Sequence, residues 1–364
     1  MSAPAAAFPL GLAGMLVSLG LLIWLAYRGW TVLLLAPLCA MLAALVSGEP
    51  ALAHWTQTFM GSAGRFLAQF FPLFLLGSLF GKLMEDSGSI VAVARLMTER
   101  LGKRRAVLAV VLGGALVTYG GVSLFVAFFV LAPMAQALFR AADIPRRLMP
   151  AAIMLGTATF TMSAMPGTPA LQNAIPMPFF GTTPFAAPGL GLIASAVMAG
   201  FGLWWLNRQV AFSRRIGEGY VEPAAGSRPG EGGKSALVRE RASVAQTFDP
   251  AEIARGAPSP TQGGLPPNAV AIAPLAVVVA ANFVMNVVVF PYIDAAYLKE
   301  ARWGSTSLSA VAGVWSVSVA LALGIAVLIA LNWRRLGQLR ASVDAGANAS
   351  VLPVLSVGSL VGYG

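Results

Sequence analysis

Two stretches of this sequence place polar groups inside apolar surroundings: Thr118-Tyr119-Gly120-Gly121-Val122-Ser123, and Pro166-Gly167-Thr168-Pro169 continuing through Gln172 and Asn173. Neither contains an acid, a base, a cysteine or a histidine. The chemistry open to them is recognition by neutral hydroxyls, amides and glycine-freed backbone. Catalysis would call for titratable side chains clustered at one place, and one His, one Cys and no acid within these stretches argue against an enzyme. Gly120, Gly121, Ser123, Gly167, Thr168, Gln172 and Asn173 are the candidate binding residues. The alternative for each is helix packing, because polar groups buried in membranes also join helices. Thr157, Thr159, Thr161 and Ser163 alternate by two, so they cannot share one helical face, and some must bond back to their own helix.

The elements that carry these stretches are hydrophobic helices. Of 364 residues, 57% are hydrophobic and 10% charged, with a mean hydropathy of +0.77, whereas soluble domains carry roughly 25% charged residues. Runs of about 20 apolar residues, enough to cross a hydrocarbon core, lie near 8–26, 31–48, 66–84, 189–206, 268–291 and 308–332. The first run has Arg28 after it and no basic residue before it, the reverse of a secretory signal, so it reads as a retained helix with an outside amino terminus. Cys39 lies alone in an apolar run as packing, which leaves no intrachain disulfide. The net charge of +10 sits in loops beside the spans and reflects topology, with no nucleic acid implied.

Basic residues concentrate on the cytoplasmic side, and every Lys and Arg except Arg65, Lys299 and Arg302 can be placed there. Lys103-Arg104-Arg105 and Arg140 then both lie inside, and the two short helices between them predict a re-entrant hairpin over 106–139 with Gly120-Gly121 at its tip, the alternative being an ordinary pair of short helices with an external turn. Such a tip is tolerated at membrane depth only where protein or a watery cavity surrounds it. Residues 148–180 predict a discontinuous helix, interrupted at Pro166-Gly167-Thr168-Pro169 because proline removes a donor and clashes with the preceding turn. The span 189–206 returns and ends on Trp204 and Trp205, placed as an interfacial belt. Residues 207–267 read as a polar cytoplasmic linker.

Pro72, Gly77, Ser78, Leu79 and Gly81 recur at a constant offset of 281 as Pro353, Gly358, Ser359, Leu360 and Gly362. Residues 1–206 read as one repeat and 268–364 as the start of a second. An odd number of crossings in the first puts the second in the opposite orientation, an arrangement in which secondary transporters hold substrate near the midplane. The second copy stops at Gly364 without a hairpin or a broken helix, so the expectation is an incomplete second repeat and no transport by these residues alone. The fold class is therefore an all-α integral membrane protein: an inverted-repeat transporter with a re-entrant hairpin and a discontinuous helix.

TYGGVSLFV at 118–126, ADIPRRLMP at 142–150, MPGTPALQNAIPMPFFGTTPFAAPGLG at 165–191 and GKLMEDSGS at 81–89 together resemble the GntP family of gluconate permeases, within the ion transporter superfamily. The resemblance implies proton symport of gluconate or a related hydroxy-carboxylate across the bacterial inner membrane, by a scaffold and a moving unit in a homodimer embedded in lipid. It implies no cofactor and no metal. A sugar acid presents one carboxylate and several hydroxyls, which suits helix amino termini, each about half a positive charge, beside neutral donors and acceptors. Glu85 and Asp86 are the nearest candidates for proton coupling, against a plainer reading as solvated acids beside Arg95. His54 reads as a surface residue. Two other functions stay open: a sodium-coupled di- or tricarboxylate transporter of citrate type, and a non-transporting membrane fragment.

Overall fold

A computed structural model describes residues 7–122, 124–220 and 264–363, so Ser123 and the linker core at 221–263 lie outside the described residues. No strand occurs among the described residues, and five helical stretches are long and apolar enough to cross a membrane. The helices are α1 (Ala7–Tyr27), α2 (Val32–Val46), α3 (Met60–Asp86), α4 (Ser89–Leu101), α5 (Ala106–Tyr119), α6 (Leu124–Ala141) and α7 (Met149–Thr157). They continue as the short α8 (Phe160–Ser163), α9 (Leu171–Ala174) and α10 (Met177–Phe180), then α11 (Pro188–Arg215), α12 (Asn268–Val284), α13 (Leu308–Asn332) and α14 (Leu339–Tyr363). The six apolar runs all become helices. The third is longer than its hydropathy suggests, because a π-turn at His54–Phe59 leads into α3.

By packing, the chain divides into two compact units, with α3 and α14 contributing to both. In the first unit, Leu22 of α1, Leu35, Ala36 and Cys39 of α2, and Phe59 form one buried cluster. Ser18 and Tyr363 share a hydrogen bond at 2.6 Å, and Ser359 Oγ donates to the Leu33 carbonyl at 3.2 Å. Gly358 lies against Phe66 and Leu67, and Gly362 against the Phe59 carbonyl, so α14 runs antiparallel to the start of α3. Five residues along each helix from the Leu67–Gly358 contact, Pro72 comes opposite Pro353.

The second unit holds α4 to α13. The amphipathic α4, not anticipated as a separate element, starts at Gly88 in a left-handed conformation (φ 73°) and buries Ile90, Ala92, Val93 and Ala94. It packs on α5, α6 and α12. Helices α5 and α6, of 14 and 18 residues, pack against each other as a helical hairpin. Helices α5 and α7 approach closely through glycine: a Cβ at Gly156 would run into the Val111 carbonyl, and one at Gly114 would lie 2.9 Å from Thr157 Cγ2. Along α11, Leu190, Leu192, Ile193, Val197 and Phe201 remain exposed, an apolar face suited to lipid.

Two expectations change. The long helix expected from 148 is interrupted eight residues ahead of Pro166, at Ala158 and Thr159, before the Pro-Gly stretch interrupts it again. Thr157, Thr159, Thr161 and Ser163 all donate to backbone carbonyls four or five residues earlier, competing for the acceptors that a continuous helix uses. The linker also begins later than residue 207, because α11 continues to Arg215. Its first residues are held down: Arg147 donates to Glu218 at 2.7 Å and to Ser213 at 3.1 Å, and the Tyr220 N–H donates to Asp143 Oδ1 at 2.8 Å. Loops that the charge pattern places on one side are thus in contact.

Gly156→Ala should lower stability by about 1–3 kcal/mol through overpacking, read as a drop in the melting temperature of the detergent-solubilised protein. The Arg147 guanidinium holds the Glu218 carboxyl below its ordinary value, so the pair's contribution is present above pH ~4.3, the unperturbed glutamate value, and is lost as pH falls through the lowered one. At pH 7, Glu218→Gln should raise amide exchange over 213–220 by roughly two- to fivefold. Once intrinsic rates are corrected, that difference should vanish in acid.

Candidate functional site

The hairpin tip and the broken segment come together in the second unit. At the tip, Gly121 takes φ 99°, a conformation that side chains other than glycine rarely adopt. Its Cβ position lies 3.4 Å from Pro169 Cγ and 3.1 Å from Leu321 of α13. Gly120 is covered by Leu275 of α12, with no room for a Cβ. Next to it, the Tyr119 hydroxyl donates to the Pro166 carbonyl at 2.8 Å, a direct bond from hairpin to break. Thr118 is buried and bonds back to the Gly114 carbonyl, which leaves it a helix-packing role.

Within the break, Gly167 adopts φ 80° beneath the Phe185 ring, and its N–H donates to the Pro184 carbonyl at 2.7 Å. Its carbonyl accepts from Asn282 Nδ2 at 2.8 Å. Thr168 is buried, with its Oγ1 3.4 Å from the Ala170 nitrogen, while Asn173 Nδ2 reaches back to the Thr168 carbonyl at 3.1 Å. Gln172 is exposed. A cavity of about 270 Å³ adjoins the break, lined among others by Ser163, Pro166, Asn173, Pro184 and Leu190. Its mixed polar and apolar lining contains no charged side chain.

The structure therefore brings Gly120, Gly121, Gly167, Thr168 and Asn173 into one region, leaves Gln172 at its exposed edge, and places Glu85 and Asp86 elsewhere on α3. Those two acids pair with Lys82 of their own helix, at 3.4 and 2.8 Å, whereas Arg95 pairs with Glu99. Asn282, Asn286, Phe185 and Leu275 were not anticipated. The signal for the first two was available: asparagines at i and i+4 in the otherwise apolar run 268–291 fall on one side of a helix, and intramembrane polar groups need partners. No group of three or more His, Cys, Asp or Glu that could hold a metal occurs among the described residues.

A model of the GntP family permeases matches residues 10–179. YxjC, an uncharacterised transporter of Bacillus subtilis strain 168, is 36% identical over 356 residues, which cover 96% of this chain and 71% of that protein. The high-affinity gluconate transporter of Escherichia coli strain K12 is 33% identical over 122 residues, 32% of this chain and 27% of that protein. No solved structure matches the chain. Apolar helices, a helical hairpin, a broken segment and these relatives define a multi-pass membrane transporter. The chain belongs to the GntP permease family.

Gly167→Ala would force a side chain into a left-handed conformation, at about 1–2 kcal/mol, and against Phe185. It should weaken substrate binding by roughly tenfold or more. Gly189→Ala, where a Cβ meets open space, should bind as the wild type; both are read by equilibrium binding to the purified protein.

Proposed function

We propose that this protein is a secondary active transporter that imports gluconate or a related hydroxy-carboxylate by proton symport across the bacterial inner membrane. The observation that carries the reading is the junction of hairpin tip and broken segment, tied by the Tyr119 bond to the Pro166 carbonyl. It supports a substrate site because both pieces are irregular backbone, which membrane proteins keep where it lines a cavity. The site is neutral. Ser163 and Asn173 line its cavity with no charged side chain beside them, which suits a polyol acid better than a dication or a lipid tail. The gluconate relative agrees with that class of ligand.

The antiparallel pairing of α3 with α14, in a register that sets Pro72 opposite Pro353, supports the inverted repeat, since a two-fold contact is centred on equivalent residues. The 14-residue α5, about 21 Å long at 1.5 Å per residue, is shorter than a hydrocarbon core of about 30 Å, which supports a re-entrant hairpin.

The test is uptake of labelled gluconate by vesicles containing the intact protein. With the outside made one pH unit more acidic, accumulation should approach ~tenfold for one coupled proton. Accumulation that follows a sodium gradient instead would replace the coupling ion. Absence of uptake across a panel of hydroxy-acids under either gradient would reject the reading.

A further inference from the structure

Helix α12 lies outside the stretch matched by the family model, yet one of its faces touches each piece of the candidate site. Leu275, Val278 and Asn282 follow at spacings of three and four and so share a face. Leu275 covers Gly120, Val278 lies 3.5 Å from the Cβ position of Gly121, and Asn282 Nδ2 donates to the Gly167 carbonyl at 2.8 Å. Asn282 is fully buried.

Its amide is held in one orientation. Asn286 Nδ2 donates to Asn282 Oδ1 at 3.1 Å and to the Asn282 carbonyl at 2.8 Å. With Oδ1 engaged by a donor, a flip of the Asn282 amide would set two NH₂ groups against each other and two oxygens against each other. The Nδ2 must therefore face Gly167. The next residue, Phe283, meets the Phe185 ring edge to face at 5.5 Å, and that ring covers Gly167. Adjacent side chains of α12 thus fix the glycine's carbonyl directly and its Cα through Phe185. Just beyond, α12 loosens into a π-turn at Met285–Val289, a feature frequent at functional sites.

Resting on the substrate reading above, we infer that Asn282 is a positioning residue of the hydroxy-carboxylate site. It holds the Gly167 peptide, and with it Thr168 and the helical restart at Leu171, in the binding orientation through its bond to the Gly167 carbonyl. Without that bond a buried carbonyl lacks its donor, and the glycine, free of a Cβ, can rotate.

The test measures labelled gluconate binding to the purified, folded protein and, separately, amide exchange over 164–174 without ligand. Asn282→Leu removes both of its amide contacts; Asn282→Ala removes them too, without added bulk against Gly167. Both should bind ~tenfold more weakly or worse and exchange faster over 164–174. Asn286→Leu, which leaves the Gly167 bond in place but frees the amide to flip, should show a smaller loss of the same kind, and it supplies the reading if neither Asn282 variant folds. Wild-type affinity and wild-type exchange in the folded variants would overturn the inference, as would loss of melting temperature with affinity unchanged. If the wild type binds no hydroxy-carboxylate, the substrate reading fails, and the exchange result still decides whether Asn282 holds the break.

Discussion

A helix interrupted in hydrocarbon leaves backbone groups that lipid cannot satisfy, and each one left bare costs several kcal/mol. At Pro166 and Gly167 the second unit supplies a partner for each such group. The Pro166 carbonyl receives the Tyr119 hydroxyl, the Gly167 carbonyl receives the Asn282 amide, and the Gly167 N–H reaches the Pro184 carbonyl. The three partners come from the hairpin, from α12 and from the loop before α11. Each of those elements is therefore placed by the break as much as the break is placed by them.

The same logic explains why so much of the unit's packing runs through glycine. Bonds from side chains on other elements to a backbone carbonyl require backbones to approach closely, and Gly120 under Leu275, Gly156 under the Val111 carbonyl and Gly324 against Val278 allow it. Packing here is set by absent side chains and filled by Leu and Val from neighbours. A membrane helix gains little from burying apolar surface against another, so close contact and hydrogen bonds take over the work of association.

Much of this was legible in the sequence. Hydropathy gave the spans because lipid rewards apolar length, and Gly120-Gly121 and Pro166–Pro169 marked the irregular backbone because only those residue types tolerate it. What hydropathy could not give was competition within a helix: around the break at Ala158 the threonines bond backward to backbone carbonyls, which a scale that scores each residue alone does not register. The amphipathic α4 was missed because its mixture of Arg, Glu and Thr with Val and Ile reads as a loop when averaged. Partners distant in sequence were out of reach as well. Asn282 stood out only as a polar residue in an apolar run, and nothing in its neighbourhood pointed to Gly167. For Glu85 and Asp86, candidates for proton coupling or else solvated acids beside Arg95, the legible partner is Lys82 one turn earlier on their own helix, where i, i+3 and i, i+4 pairs form.

The bond between Asn282 and Gly167 joins residues 115 positions apart, and this bears on how the protein is made. Translation delivers the hairpin, the break and α11 to the membrane before α12 has been synthesised. Through that interval the Gly167 carbonyl has no donor from Asn282, and the hairpin tip has no Leu275 to cover Gly120. Insertion of α12 closes that state, and α13, whose Leu321 meets Gly121, then completes the packing around the hairpin tip.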